Sequence, residues 1–207
     1  MLNPVAFVQL IATMGESVRW FKCLPTYDGT HISSTSATAG RRWAETLLPA
    51  RVKVLAREQK DEFEHPDFGL VHVGDLILTT LPDEITVGFQ DIFVFPLRTD
   101  IAREAVTRGA GADALVQSYP VRLVAVSDAT RAYTLGTTGD CYLDANNEIA
   151  WTVAGEHPAE DAVYTAEYTY NQVYWYMSGK ERAPRPIPFL GGTTPQQVVL
   201  TKKLPGD

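Results

Sequence analysis

Short apolar segments, rich in β-branched residues and bounded by turn residues, recur along most of the chain. Successive side chains of a β-strand point to opposite faces of a sheet, so such segments are typical of an all-β protein. The segments predicted as strands are Val5–Thr13, Val18–Leu24, Arg51–Arg57, Leu70–Thr79, Ile85–Val87, Ile92–Leu97, Val121–Ser127, Tyr133–Leu135, Cys141–Leu143, Glu148–Val153, Val163–Met177 and Gln197–Lys202. We therefore expect a mainly β fold, like a barrel or a sandwich, with long loops and one short helix.

The clearest alternation is in Val163–Met177, where all the tyrosines fall on even positions: Tyr164, Tyr168, Tyr170, Tyr174 and Tyr176. A period of two predicts one aromatic and one mostly polar face of a strand. Three interpretations of the aromatic face stay open. It packs on the protein's own core, it contacts another subunit, or it binds carbohydrate together with Trp151 and Trp175. Stacking of single-stranded nucleic acid is disfavoured, because this segment has no basic residue.

Three other segments depart from the strand pattern. Thr26–Gly40 is rich in Ser, Thr and Gly, which predicts a long loop. Thr99–Gly109 predicts a short helix, because a capping residue precedes an apolar stripe and a glycine follows it. Arg182–Pro188 contains three prolines and predicts extended chain, either a stiff linker or an arm along a neighbouring subunit. The helix would join a β-rich half, residues 1–98, to a second β-rich half, residues 99–207, with an extended tail over residues 180–207.

The net charge of −7 argues against a protein that grips nucleic acid by neutralising phosphates. The charge is also unevenly distributed. Asp140–Met177 contains seven acidic residues and no Lys or Arg, whereas Lys180–Asp207 contains five basic residues against two acidic ones, a net of +3. This is either ordinary surface charge or an acidic face on one subunit that meets a basic arm of the next.

Motifs that carry chemistry are scarce. The sequence has no nucleophile elbow, phosphate-binding loop, dinucleotide-binding glycine pattern or His-Glu-x-x-His motif, so we expect no catalytic residue, no metal and no cofactor. Asp140–Glu148 is acidic but lacks the calcium-loop spacing, and Ala145–Asn147 predicts a hairpin turn, with a metal site as the alternative. Cys23 and Cys141 are too few for a disulfide scaffold; we expect reduced thiols, with a single bridge as the alternative. We expect neither a secretory signal nor a membrane span.

A string of motifs in the second half runs Tyr119–Ser127, Tyr133-Thr-Leu-Gly136, Asp140-Cys-Tyr-Leu-Asp144, Glu148-Ile-Ala-Trp151, Pro158, Tyr164-Thr-Ala-Glu-Tyr-Thr-Tyr170, Tyr174-Trp-Tyr176 and Pro195-Gln-Gln-Val-Val-Leu200. The first half adds Leu48–Arg57 and Val73-Gly-Asp-Leu76. Over roughly Leu48–Lys203 the pattern resembles the neck or head-to-tail connector proteins of tailed bacteriophages. The motifs of the first half resemble the small β-barrel of phage stopper and adaptor proteins.

The resemblance implies a structural, non-enzymatic virion protein of the phage neck, assembled in the host cytoplasm as a closed homo-oligomeric ring, six- or twelve-fold. Its neighbours would be portal, adaptor or tail proteins, with no membrane involved, and DNA would pass without specific binding. An acidic lumen repels phosphate, and the candidate channel-facing residues are Asp140, Asp144, Glu148, Glu156, Glu160, Asp161 and Glu167. The candidate inter-subunit residues are Tyr164, Tyr168, Tyr170, Tyr174, Tyr176, Arg182, Arg185, Lys202 and Lys203. The alternative function is a carbohydrate-binding β-module of a tail or surface protein.

Overall fold

The computed structural model describes residues 4–25, 41–45, 52–65, 69–80, 87–88, 91–117, 119–182, 186–187, 192–193 and 197–202. Its elements are α1 (Pro4–Met14), β1 (Glu16–Pro25), β2 (Arg41–Glu45), β3 (Val52–Glu58), β4 (Phe63–His65), β5 (Gly69–Val71), β6 (Leu76–Thr80), β7 (Ile92–Thr107), β8 (Pro120–Ser127), β9 (Cys141–Leu143), β10 (Ile149–Trp151), β11 (Val163–Arg182), β12 (Pro186–Ile187), β13 (Gly192–Thr193) and β14 (Gln197–Thr201). The fold is mainly β with one short helix in the described residues, which confirms the predicted fold class. That helix is too short to span a membrane.

Contacts divide the chain into two compact units. The first unit is Met1–Pro96 together with Val173–Asp207, and the second unit is Leu97–Gln172. This division differs from the predicted halves, residues 1–98 and 99–207, because the C-terminal strands return to the first unit. There β14 pairs with both β6 and β11. Part of the predicted extended tail is thus a paired strand.

The first unit contains a closed barrel of six antiparallel strands. The strands are hydrogen-bonded in the order β1, β3, β6, β14, β11 and β7, and β7 pairs with β1 to close the barrel. Most of the core comes in pairs of residues two positions apart, as the strand period requires. These pairs are Val18 and Trp20, Leu76 and Leu78, Phe93 and Phe95, Tyr174 and Tyr176, and Val198 and Leu200.

The barrel also contains one fully buried carboxylate, Asp91. It accepts hydrogen bonds from the Trp20 indole at 2.9 Å, the Lys22 ammonium at 3.1 Å, and the backbone N–H groups of Cys23 at 3.0 Å and Gly88 at 2.8 Å. A buried charge is tolerated only when it is paired and hydrogen-bonded. Asp91 meets both conditions and ties β1 to the start of β7.

The second unit has two layers. The first is an antiparallel sheet in which the N-terminal part of β11 lies between β8 and the C-terminal part of β7. The second is the β9–β10 hairpin with its connecting loops. Side chains from both layers form one core cluster, in which Tyr164, Tyr168 and Leu123 of the sheet share the interior with Cys141 and Ile149 of the hairpin.

Two predicted elements are wrong, in opposite senses. Val5–Thr13 was expected as a strand and lies in α1. Its sequence of apolar residues is compatible with an apolar helix as well as with a strand. The helix packs beside β3, where the Lys53 ammonium donates to the Ala12 carbonyl at 2.7 Å. Thr99–Gly109 was expected as a helix, but residues up to Thr107 belong to β7. Burial alternates along this part of β7, with even positions facing inward.

Other predicted strands are shorter or divided. Leu70–Thr79 is split between β5 and β6 by a turn at residues 72–75, where Gly74 has a φ of 87° and the Asp75 carboxylate accepts from the His72 N–H at 3.0 Å. In Tyr133–Leu135 only Leu135 forms an isolated bridge, to Cys141, and the preceding Ala132 forms another, to Ser127. The loop Thr26–Gly40 and most of Ile85–Val87 lie outside the described residues, whereas Cys141–Leu143 matches β9 at both ends.

Candidate interaction surface

The even-numbered tyrosines lie mostly inside their own chain. Tyr164 and Tyr168 belong to the core of the second unit, and Tyr174 and Tyr176 to the barrel core; all four are at most 3% exposed. Tyr170 is half-buried and packs against the second core. The structure thus places this aromatic face on the protein's own core. At the four buried positions no aromatic ring is exposed for a sugar or for another subunit.

The tryptophans proposed as further sugar contacts are not exposed platforms either. Trp151 is half-buried, with its indole edge-to-face against Tyr133 at 5.1 Å and Tyr164 at 5.2 Å between ring centroids. Trp175 lies on the other face of β11 from the buried tyrosines and is also half-buried. Aromatic pairs of this geometry stabilise a core, so Trp151 serves the interior of the second unit.

A buried carboxylate organises the second unit. Asp113 is 3% exposed, and its Oδ2 accepts hydrogen bonds from the Trp151 indole and the Tyr164 hydroxyl, both at 2.8 Å. Its Oδ1 accepts from the Gly109 N–H at 2.6 Å and lies 3.5 Å from the Arg108 guanidinium. Burial, together with the hydrogen bond to Asp113, raises the pKa of the Tyr164 hydroxyl. No sequence pattern indicates this cluster around Asp113, since Asp113 is 38 residues from Trp151 and 51 from Tyr164.

Two of the predicted channel acids hold turns. The Asp140 carboxylate accepts from the Thr134 N–H and hydroxyl, both at 2.7 Å, and from the Glu156 N–H at 2.8 Å. The bonds from Thr134 hold the pKa of Asp140 below its usual value. Asp144 accepts from the N–H groups of Asn146 at 2.8 Å and Glu148 at 2.9 Å, which closes the turn of the β9–β10 hairpin. The hairpin turn predicted over Ala145–Asn147 is therefore present.

A third carboxylate, Asp128, fixes the loop after β8. It accepts from the hydroxyl groups of Tyr133 and Thr130 and from the N–H groups of Thr130 and Arg131. The Tyr133 hydrogen bond is the main cause that lowers the pKa of Asp128. Burial, followed by the same hydrogen bond, raises the pKa of Tyr133 to about 12. Arg131 in turn forms an ion pair with Glu156.

The second unit carries a large excess of negative charge. Residues 97–172 contain eleven acidic residues and five arginines, a net of −6 out of −7 for the chain. Among the predicted channel acids, Glu160 and Asp161 are exposed in the turn before β11, and neither forms an ion pair within the described residues. Asp161 has a φ of 65°, a conformation that Asp and Asn adopt more readily than most residues. Glu148 and Glu167 are half-buried.

The sheet of the second unit has an uncovered face. Along β8 buried residues occur every third position, because two β-bulges put Val121 beside Arg122, and Val124 beside Ala125, on the outer side. Five large apolar side chains on this side are between 38% and 79% exposed: Leu97, Ile101, Val121, Val124 and Val163. We call this surface of β7, β11 and β8 the open face. Exposed apolar side chains grouped on one side of a sheet are typical of an interaction surface.

Two arginines flank the apolar residues of the open face. Arg103 projects from β7 and Arg122 from β8, both exposed. Within the described residues neither forms an ion pair, whereas Arg108 and Arg131 are paired with Asp113 and Glu156. The open face is thus a basic and apolar surface on an acidic unit, and the sequence could not show this because the bulges decide which residues of β8 point outward.

The basic residues predicted for inter-subunit contact are only partly described. Lys202 follows β14, and its ammonium lies 5.6 Å from the ring centroid of Tyr174 in the same chain. Arg182 ends β11, whereas Arg185 and Lys203 lie outside the described residues. The basic arm as a clasp for a neighbour therefore stays a prediction.

No group of His, Cys, Asp or Glu side chains among the described residues could hold a metal ion. Cys23 and Cys141 are both free cysteines in the structure, with no bridge between them. Neither the scan against protein-family models nor the search of curated proteins gave a match to this chain.

Proposed function

We propose that the chain is a structural subunit of a tailed-phage neck, which assembles with copies of itself into a closed ring at the head-to-tail interface. DNA would pass through this subunit ring without being held. The motif resemblance over Leu48–Lys203 supports the class of protein, and the barrel of the first unit is compatible with the stopper and adaptor proteins that it resembles. The observation that carries the proposal is the charge of −6 on the second unit.

The charge supports passage rather than binding of DNA. Proteins that hold a duplex neutralise phosphates with Lys and Arg. The second unit has no lysine, and two of its five arginines are paired with its own carboxylates. A surface with this excess of carboxylates repels the phosphate backbone over about one Debye length, roughly 8 Å at physiological ionic strength. Glu160 and Asp161 are the strongest candidates for the lumen, because they are exposed and have no cationic partner in the described residues.

The test is a gain of DNA binding. Glu160→Lys together with Asp161→Asn replaces two negative charges by one positive charge per copy, which supplies a cation for phosphate, and Asn preserves the positive φ at residue 161. We expect the assembled variant to retain duplex DNA at low salt, whereas the assembled wild type does not. The control, Glu58→Lys with Asp61→Asn, makes the same charge change at exposed positions of the first unit. Equal DNA retention by both variants would contradict a lumen at residues 160–161.

The carbohydrate-binding alternative loses its structural basis. It required aromatic rings free to stack on sugars, and the candidate tyrosines at 164, 168, 174 and 176 are buried in the two cores. We therefore propose only the connector function.

A further inference from the structure

We infer that the open face of the second unit docks on the β9–β10 hairpin of the next copy of this chain, so that each subunit contacts its two neighbours through two different surfaces. The inference rests on the proposed function, because a closed ring needs a contact between two different surfaces of identical subunits. Such a heterologous contact generates a ring when the rotation closes. The second unit contains two surfaces that complement each other in charge, position and chemistry.

The first surface is the open face itself. Its five exposed apolar side chains form the centre, and Arg103 and Arg122 lie among them without a carboxylate partner in the described residues. Glu167 is the acidic residue on the adjacent outward positions of β11, so the face is net basic on a unit whose net charge is −6. A neighbour that carries carboxylates around a small apolar centre would pair the arginines and cover the apolar groups.

The second surface is the outer side of the hairpin. Cys141, Ile149 and Trp151 of β9 and β10 face the core. Tyr142 and Ala150, which are paired across the two strands, point the other way. The hairpin end next to this pair carries Asp144 and Glu148, neither of which forms an ion pair in the described residues. The outer hairpin surface therefore combines a half-buried tyrosine with two carboxylates.

The positions of the two surfaces fit a contact in which one surface of each subunit meets the other surface of the next. The hairpin packs on the inner side of the sheet through the core that holds Tyr164 and Ile149. The open face and the outer hairpin surface are therefore on opposite sides of the two-layer unit. One copy can present the open face to a neighbour while its hairpin receives the open face of another.

The bulges of β8 favour docking through the face rather than through the strand edge. β8 is at the end of the sheet, where a regular strand could pair with a strand of another molecule. Its two bulges interrupt the row of backbone groups that such pairing requires. The same bulges push Val121 and Val124 outward, which enlarges the apolar centre of the open face.

The experiment uses two variants, each of which blocks one surface of the full chain. Arg103→Glu with Arg122→Glu reverses the charge of the open face, and Glu148→Arg with Ala150→Arg makes the outer hairpin surface basic. We expect either variant alone to raise the dissociation constant for self-association at least about 100-fold, because like charges are brought together. The control, Arg57→Glu with Lys60→Glu, changes two exposed charges of the first unit by the same amount and should assemble as the wild type does. Circular dichroism establishes that each variant is folded.

Mixing the two blocked variants tests whether the open face of one copy contacts the hairpin of another. Each retains the surface that the other has lost, and the two altered surfaces carry opposite charges, so the mixture should associate by mass photometry where neither variant associates alone. If only the open-face variant fails to associate, the contact joins two open faces and the inference is overturned. Normal assembly of both variants, or a wild type that stays monomeric up to millimolar concentration, also overturns it.

The outcomes separate this inference from the proposed function. A wild type that forms closed rings while both blocked variants also form them leaves the connector proposal standing and removes the docking inference. A wild type that forms open chains or pairs through the two surfaces, and no closed ring, supports the docking contact and contradicts the connector proposal.

Discussion

Replacing Asp113 with Asn tests the account of what holds the second unit together. The wild-type carboxylate accepts from Trp151, Tyr164 and the Gly109 N–H, and pairs with Arg108. An amide has only one accepting oxygen. If that oxygen faces Trp151 and Tyr164, the NH₂ group faces the Gly109 N–H and the guanidinium. If the amide is reversed, the NH₂ group faces the Trp151 N–H. Either orientation puts a donor against a buried donor.

The expected cost follows from these contacts. Breaking a buried ion pair by removing one charge costs about 3–5 kcal/mol, and a buried donor left without an acceptor costs about 1–3 kcal/mol. Because these terms overlap, we expect Asp113→Asn to destabilise the second unit by about 4 kcal/mol. Tyr164→Phe removes one hydrogen bond to the carboxylate and leaves the others, so its cost should be smaller, about 1.5–3 kcal/mol.

Amide hydrogen exchange in peptides that cover β9 and β10 measures the free energy of opening directly. The exposed substitution Glu160→Gln is the control and should change it by less than about 0.5 kcal/mol. The variants should rank with Asp113→Asn as the most destabilised, followed by Tyr164→Phe. A change below about 1 kcal/mol for Asp113→Asn would refute the reasoning, because the carboxylate would then contribute no more than an ordinary surface group.

Three further predictions concern titrating groups. In a spectrophotometric titration Tyr133 and Tyr168, each with a pKa raised to about 12 mainly by burial, should not ionise near pH 10. Their neutral forms stabilise the fold fully below about pH 10, and this contribution is lost as the pH rises from about 10 through 12. Ionisation of all nine tyrosines near pH 10 would exclude this. Because the pKa of Asp140 is lowered, its stabilising bonds should be present above about pH 4 and be lost as the pH falls below that value, which exchange of the Thr134 amide would report and unchanged exchange would contradict. Burial raises the pKa of the Cys141 thiol to about 12, so a thiol reagent should modify Cys23 and spare Cys141 in the native protein; equal rates would contradict the buried position.

The strands that sequence predicts well are those in which one face is purely apolar. β9 and the start of β11 are of this kind, because the tyrosines of β11 alternate with polar residues and bury on one side. The C-terminal part of β7 is not. Its inward positions include Asp100 and Glu104, whose carboxylates accept from the Gln172 amide at 2.9 Å and the Tyr168 hydroxyl at 3.0 Å.

Those partners lie 64 to 72 residues away, so the inward polar residues of β7 hide its period of two and leave an apparent helical stripe. The candidate surface was hidden for a similar reason. Only the pairing of β8 with β11 shows that bulges place Arg122 and Val124 outward. Charge counts along the sequence did indicate the acidic segment Asp140–Met177, most of which lies in the second unit, because a count of charged residues does not depend on the fold.

The native mass of the purified chain, measured by mass photometry with electron microscopy of the same sample, tests the central claim most directly. The account predicts a closed ring of six or twelve copies with a central opening wide enough for duplex DNA. A discrete dimer, or open filaments without closure, would contradict it.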